Sequence, residues 1–243
     1  MGKVMFMRKG DLHTAPSAGI PAGELAVGSS IWLNENGTLA EYLVVNQGIP
    51  SESTLYDSSC DGVWLLRKDC YESRQWHSSN SNSYSASTIH SYLNSSFLNL
   101  FDTNTQNAIK QVKIPYVNGT AGSAIASGAN GLEVKVFLLC GYEVGFTQSD
   151  NQYFPIDGAC LDYFIGVAQT VRIAKINGSA TLWWLRSLYN YRNTSTWCVS
   201  AQGLYGGQTC SNSYGIRPAL VLPSDCKLTD NGEGKLILVG GAS

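Results

Sequence analysis

The chain is predicted to be an α+β domain of short, irregular β-strands with two helices. Three observations lead there: an Asn36-Gly37 turn between two apolar runs, a helical spacing of apolar residues after Ser87, and a C-terminal third in which short apolar runs alternate with long polar turns. With 243 residues, 44% of them hydrophobic, the chain can build one sizeable core.

The elements follow in order. Residues 1–24 hold Pro16, Pro21 and four glycines without periodicity and read as an arm suited to assembly or attachment. Ile31-Trp32-Leu33 and Leu39 to Val45 form the strands of a hairpin, and Val63 to Leu66 is a third, buried strand. Ser87 is the expected N-cap of a helix whose inward stripe is Ile89, Tyr92, Leu93, Phe97 and Leu98. A second short helix starts at Thr103, with Thr103 and Gln106 as a reciprocal capping box. Gly119 to Gly131 is a small-residue loop, Val134 to Leu139 a continuous strand, and Val171, Ile173 and Ile176 suit a further strand. Thr181 to Leu185, Trp197 to Ser200 and Ile216 to Leu222 are strands around two loops, and Lys227 to Val239 closes as a hairpin. The division expected is 1–24 as arm, 25–225 as domain and 226–243 as hairpin or tail.

Composition excludes several functions. Sixteen Lys and Arg against 18 Asp and Glu, a net charge of -2, provide no basic field for nucleic acid. No apolar run approaches the roughly 18 residues a membrane span requires. The first residues lack the apolar core and cleavage site of a signal peptide, so cytoplasmic synthesis is expected. Seven irregularly spaced cysteines without a Cys-x-x-Cys pair read as mostly free, buried thiols.

The sharpest anomaly lies between Ser187 and Tyr214, where 20 of 28 residues are Ser, Thr, Asn, Gln, Gly or Tyr and the single charge is Arg192. Tyrosine supplies rigid contact area with a polar tip, and Ser, Asn and Gly supply adaptable hydrogen bonds. Apolar strands bracket the segment. Trp183, Trp184 and Trp197 read as core, and Arg186 and Arg217 as structural donors to backbone carbonyls. A merely hydrophilic pair of loops is the plainer alternative. The polar stretch Ser78 to Thr88 reads as a solvated loop that caps the following helix.

The brackets Trp183-Trp184-Leu185-Arg186-Ser187 and Gly215-Ile216-Arg217-Pro218-Ala219-Leu220, with Ser87 to Phe101 and Lys135 to Leu139 before them, resemble a family of phage and bacterial domains of the C-type lectin fold. The resemblance covers roughly residues 25 to 225 and extends to variable proteins of diversity-generating retroelements, whose adenine-directed mutagenesis rewrites a C-terminal cassette. AAC codons treated so reach Tyr, Asn, Arg, Thr, Ser, Cys, Leu, Gly and Ala, but not Gln, Lys, Glu, Met or Trp. The resemblance therefore implies a ligand-binding variable set: Leu188, Tyr189, Asn190, Tyr191, Arg192, Asn193, Thr194, Ser195, Ser200, Ala201, Leu204, Tyr205, Thr209, Cys210, Ser211, Asn212, Ser213 and Tyr214. Gln202, Gln208 and Trp197 are then fixed framework. Leu188 stands where the family often has Pro.

What this implies is a non-enzymatic, cofactor-free adhesion or receptor-binding protein on the surface of a phage tail, contacting a host cell-surface protein or glycan. Its arm would join it to other virion proteins or into a homo-oligomer such as a trimer. The alternative is a fixed structural or assembly module of a virion. Enzyme readings find little support. Cys198 and Cys210 are the sole candidates for a formylglycine-generating pair and lack its supporting residues. His13, His77 and His90 lack ligand spacing, no Gly-x-Ser-x-Gly elbow occurs, and residues 163 to 224 hold no acid for calcium-mediated sugar binding.

Overall fold

The computed structural model describes residues 19–51 and 54–239, so most of the expected arm and the assembly role assigned to it lie outside the described residues. In chain order the strands of the first half are Ile20–Pro21 (β1), Ser30–Glu35 (β2), Thr38–Gln47 (β3), Val63–Arg67 (β4), Ser73–Gln75 (β5), Val112–Ile114 (β6) and Tyr116–Val117 (β7). Helices Thr88–Tyr92 (α1) and Thr103–Ala108 (α2) lie between β5 and β6. Ile125–Ala126 (β8), Leu132–Val134 (β9), Val136–Phe137 (β10), Ala174–Ile176 (β11) and Ser179–Thr181 (β12) follow. Trp183–Leu188 (β13), Ser195–Val199 (β14), Tyr205–Thr209 (β15), Ser213–Gly215 (β16), Ala219–Leu222 (β17), Lys227–Asp230 (β18) and Leu236–Leu238 (β19) complete the set. The chain is thus α+β and mostly strand, as its sequence predicts.

Two sheets organise it. The larger runs β1-β18-β19-β2-β3-β4-β17-β10 and the smaller β15-β14-β13-β16-β5. The hairpin forms where expected: Asn36 and Gly37 both take positive φ, 49° and 85°, as a two-residue turn matched to strand twist requires. Val63 to Leu66 are fully buried because β4 has a strand on either side, β3 and β17.

Both ends of the domain extend beyond the expected boundaries. Ile20 pairs with Leu228, Ala22 is completely buried and donates its N–H to the Cys226 carbonyl at 2.8 Å. The C-terminal hairpin forms, and its β19 runs parallel to β2 through Ile237 and Trp32. Ile20–Pro21, Lys227–Asp230 and Leu236–Leu238 therefore belong to the main sheet, because each contributes apolar side chains and backbone partners that its neighbours would otherwise lack.

Other departures have local causes. Ser87 caps α1, its Oγ accepting from the His90 N–H at 3.2 Å, but the helix widens into a π turn over Leu93–Phe97 and tightens into a 3-10 turn over Leu98–Leu100. Ser91 and Ser95 hydroxyls bond back to carbonyls four residues earlier, a pattern that bends helices. The cap of α2 is Asp102, which accepts from the Thr105 N–H at 2.9 Å, while Gln106 reaches the Phe101 carbonyl; Thr103 is the first helical residue and no capping box forms. The loop after Gly119 contains β8, paired with β7. Val171 sits in a helical turn at Gln169–Arg172 and Ile173 caps it, so of the expected strand only Ile176 lies in β11.

The run Val134 to Leu139 is not one strand. It leaves β6 after Val134 and joins β17 at Val136. Asn94 makes this switch possible: its Oδ1 accepts from the Lys135 and Val136 N–H groups at 2.9 and 3.2 Å, and its Nδ2 donates to the Val136 carbonyl at 2.9 Å. One side chain replaces a missing strand partner. Asn94→Ala leaves these groups unsatisfied and is expected to lower unfolding stability by about 2 to 3 kcal/mol in urea titration; an unchanged midpoint would show that water takes over the role.

Candidate functional site

The smaller sheet carries the polar segment, and β13 is its root. Trp183, Trp184, Arg186 and Ser187 are buried, as are Trp197 in β14 and Arg217 beyond β16. Trp183 Nε1 donates to the Arg172 carbonyl and Trp184 Nε1 to the Arg74 carbonyl, at 3.0 and 2.8 Å. Arg217 donates to the carbonyls of Arg67 and Arg172 and lies 5.0 Å from the Trp183 ring centroid. Burial pulls its pKa down to about 10, and among the described residues no carboxylate bonds to it. Arg217 therefore has the structural role its sequence position suggests.

Arg186 does more than expected. It donates to the carbonyls of Pro115, Leu138 and Asp157, and also forms a two-pronged ion pair with Glu143 at 2.5 and 2.7 Å, both side chains fully shielded from water. Glu143 further accepts from the Cys140 N–H and the Tyr56 hydroxyl. Beside it, the Ser187 hydroxyl donates to Asp157 at 2.9 Å and accepts from the Gly141 N–H at 2.8 Å. Burial pushes the Asp157 carboxyl up to about 6, with Arg186 and the Ser187 hydrogen bond pulling the other way.

The expected variable positions divide into three groups. Asn190, Tyr191, Arg192, Asn193, Thr194, Leu204, Asn212 and Ser213 are exposed, with Tyr191 at 63% and Leu204 at 48%. Tyr189, Ser200, Ala201, Tyr205, Thr209, Ser211 and Tyr214 are half-buried. Leu188, Ser195 and Cys210 are buried, contrary to their assignment to a contact surface. Leu188 pairs with Thr196 across β13 and β14. The Ser195 carbonyl accepts from the Tyr189 N–H, and Cys210 bonds through its N–H to Thr194 and through its carbonyl to His77. Among the residues expected to be fixed, Gln202 is exposed at a turn and Gln208 accepts from the Tyr214 hydroxyl at 3.0 Å. Cys198 and Cys210 are free thiols that burial pushes up to about 12, so neither is a thiolate at neutral pH.

Around Trp197 lies an aromatic cluster. Its indole stacks on Phe154 at 4.2 Å and meets the rings of Tyr189 and Tyr205 at 4.6 and 5.7 Å. Asn151, Tyr189, Trp197, Tyr205, Gly206 and Gly207 line an open cleft of about 280 Å³. Trp197 Nε1 is buried without a hydrogen-bond partner among the described residues, unlike the Nε1 groups of Trp64, Trp76, Trp183 and Trp184. Tyr153 extends the cluster to the surface, 5.5 Å from Tyr189 and 5.0 Å from Tyr191.

Several residues of this site have no visible signal in the sequence. Phe154, Tyr153 and Asn151 come from the loop before β11. Asn82, within a stretch that reads as solvated, is fully buried and donates to the Arg192 and Ser195 carbonyls at 2.9 and 2.8 Å, pinning the exposed loop. A Ser-Asn run is ambiguous in sequence between solvated and capping roles. Among the described residues no group of three or more His, Cys, Asp or Glu is gathered, and no helix is long and apolar enough to cross a membrane.

The buried network makes two expectations. Arg186→Met strands Glu143 without its cation and should cost about 3 to 5 kcal/mol, most of which Arg186→Met with Glu143→Leu should restore; a double variant no better than the single one would refute the pairing. For Asp157, the folded carboxyl holds its proton up to about pH 6 against 3.8 ordinarily, so its contribution to stability is full below the lower value and is lost as pH rises through the upper. The stability difference between the natural chain and Asp157→Asn, followed by denaturant titration, should therefore change across that window and be flat above it.

No curated protein and no solved structure matches the chain. A family model described as "Domain of unknown function (DUF6273)" matches residues 61–224, from just before β4 to just after β17, and so takes in the whole smaller sheet and its buried network apart from Tyr56. The chain belongs to that family.

Proposed function

We propose that this chain is a binding protein that presents the loop Asn190 to Thr194, the turn at Leu204 and the turn at Asn212 and Ser213 as one contact surface for a macromolecule. The observation that carries this reading is the division within the polar segment. Its exposed residues are Tyr, Asn, Arg, Thr, Ser and Leu together with Gln202 and Gly207, all outside the packed core, while the Arg186, Ser187 and Trp197 frame beneath them is buried. Aromatic area supplies affinity and the surrounding amides and hydroxyls supply specificity.

In its finer form the proposal is a variable protein of a diversity-generating retroelement with the C-type lectin fold, acting in host adhesion on a phage tail. Most positions reachable from AAC codons are solvent-accessible here, which supports that form; buried Leu188, Ser195 and Cys210 count against including those three positions. Neighbouring DNA decides it: a near-duplicate cassette with adenines at these codons beside a reverse-transcriptase gene is expected, and its absence leaves a fixed binding or assembly module.

The binding test uses an array of glycans and bacterial surface proteins. Tyr191→Ala with Asn193→Ala should abolish binding to the captured partner and shift stability by no more than about 0.5 kcal/mol, since both side chains are exposed. Tyr189→Ala and Tyr205→Ala are poorer probes because both rings pack on Trp197 and their removal destabilises the cleft. Retained binding by the Tyr191 and Asn193 variant would overturn the assignment of this surface.

A further inference from the structure

Strand β15 is an edge, paired through β14 alone. Its hydrogen-bonding phase follows from its two ends: the Ser200 N–H donates to the Leu204 carbonyl before the strand, and the Cys210 N–H donates to the Thr194 carbonyl after it. In an antiparallel pair the bonded residues alternate, so Leu204, Gly206, Gln208 and Cys210 face β14. Tyr205, Gly207 and Thr209 then turn their backbone groups outward. Of these, only the Thr209 carbonyl finds a partner among the described residues, accepting from the Asn212 N–H.

The other three edges of the two larger sheets are blocked. Asn94 bonds both backbone groups of Val136 in β10. β1 contains Pro21, which has no N–H, and β5 carries Arg74 in an ion pair with Glu72 at 2.8 Å. These are the usual devices that stop strands from adding to an edge. Tyr205-Gly206-Gly207-Gln208-Thr209 has none of them: no charge, no proline, and two glycines whose φ lies outside the left-handed region. The aromatic cleft opens directly over it, with Gly207 and Trp197 opposite one another in register and Tyr189 and Tyr205 as walls.

We infer that β15 receives an extended peptide segment of the partner as a sixth strand, with one aromatic or large apolar side chain of that peptide seated in the cleft over Gly207. This rests on the binding reading above and narrows the partner to a polypeptide. The argument is one of chemical complementarity. Alternating backbone N–H and C=O groups at strand spacing are matched by another extended backbone, and the adjacent pocket selects the side chain that falls upon it. A glycan matches neither the spacing nor the alternation.

The probe is a displayed library of random linear peptides selected against the purified chain, with enriched sequences synthesised and titrated. Enriched peptides are expected to share an aromatic or large apolar anchor. Backbone N-methylation should weaken binding by at least about tenfold at every second residue around that anchor and be tolerated at the residues between. Gly207→Pro removes one outward donor without touching the β14 ladder, and a Cβ there meets only ordinary contacts with Tyr189 and Trp197 at 3.5 to 3.9 Å. It should weaken binding by at least about tenfold with an unchanged melting temperature. If that variant fails to fold, the N-methylation series on the natural chain decides alone.

Four outcomes overturn the inference: no linear peptide is enriched, binding ignores the alternation, folded Gly207→Pro binds normally, or the chain dimerises through this edge and Gly207→Pro makes it monomeric. Glycan binding that depends on Tyr191 while no peptide binds would remove strand addition and leave the contact surface standing.

Discussion

Two opposite charges with no access to water, Arg186 and Glu143, set the condition that the rest of the smaller sheet must meet. Removing such ions from water is costly, and their attraction compensates only when every remaining donor and acceptor is also matched. Here three carbonyls complete the guanidinium, and an amide and a hydroxyl complete the carboxylate. These partners come from four separate regions: Tyr56, Pro115, the stretch 138–143 and Asp157. A misregistered β13 would leave both charges bare. The pair thus acts chiefly as a constraint on register, and Ser187 and Asp157 extend that constraint one residue further towards the loop.

The consequence appears where the chain leaves the core. From Tyr189 to Thr194 the side chains reach the surface, and this loop is held chiefly through its backbone, with the Asn190 Oδ1 also accepting from the Gly122 N–H at 2.7 Å. Asn82 grips two of its carbonyls, the Tyr189 N–H donates to Ser195, and the Asn190 N–H donates to Tyr153. The backbone is fixed while, among the described residues, the side chains from Tyr191 to Thr194 make no hydrogen bonds. A contact surface gains from this arrangement because little loop entropy is lost on binding.

Legibility in the sequence followed the range of the interactions. The hairpin at Asn36-Gly37 and the cap at Ser87 depend on neighbours a few residues away, and both could be read directly. The Trp183 to Ser187 bracket could be read as buried because apolar residues and an arginine among them leave few alternatives. What could not be read depends on distant partners. Glu143 lies 43 positions before Arg186 and looks like any acidic residue; Asn94 sits in a helical stretch yet serves a strand; Phe154 and Tyr153 occupy a loop with no period. The exposure of Leu188, Ser195 and Cys210 was misjudged for the same reason: polarity and codon reach describe residue types, whereas burial there comes from β14 pairing and from His77.

A surface whose side chains are free to vary faces a physical difficulty, since each change that suits one partner removes contacts made with another. Main-chain recognition along β15 offers a way through. Its outward N–H and C=O groups belong to every residue type except proline, so the hydrogen bonds they offer persist when side chains change. Tyr205 and Thr209 lie on the same face as Trp197, and altering them reshapes the pocket without altering the ladder beside it. Gly207 keeps the approach open, and the Trp197 floor is held by Phe154 from a loop outside the polar segment. In this arrangement a constant backbone term would supply base affinity and the cleft would supply discrimination. The same unguarded edge would otherwise favour self-association, so its persistence beside three blocked edges is accounted for most simply by a partner strand that occupies it.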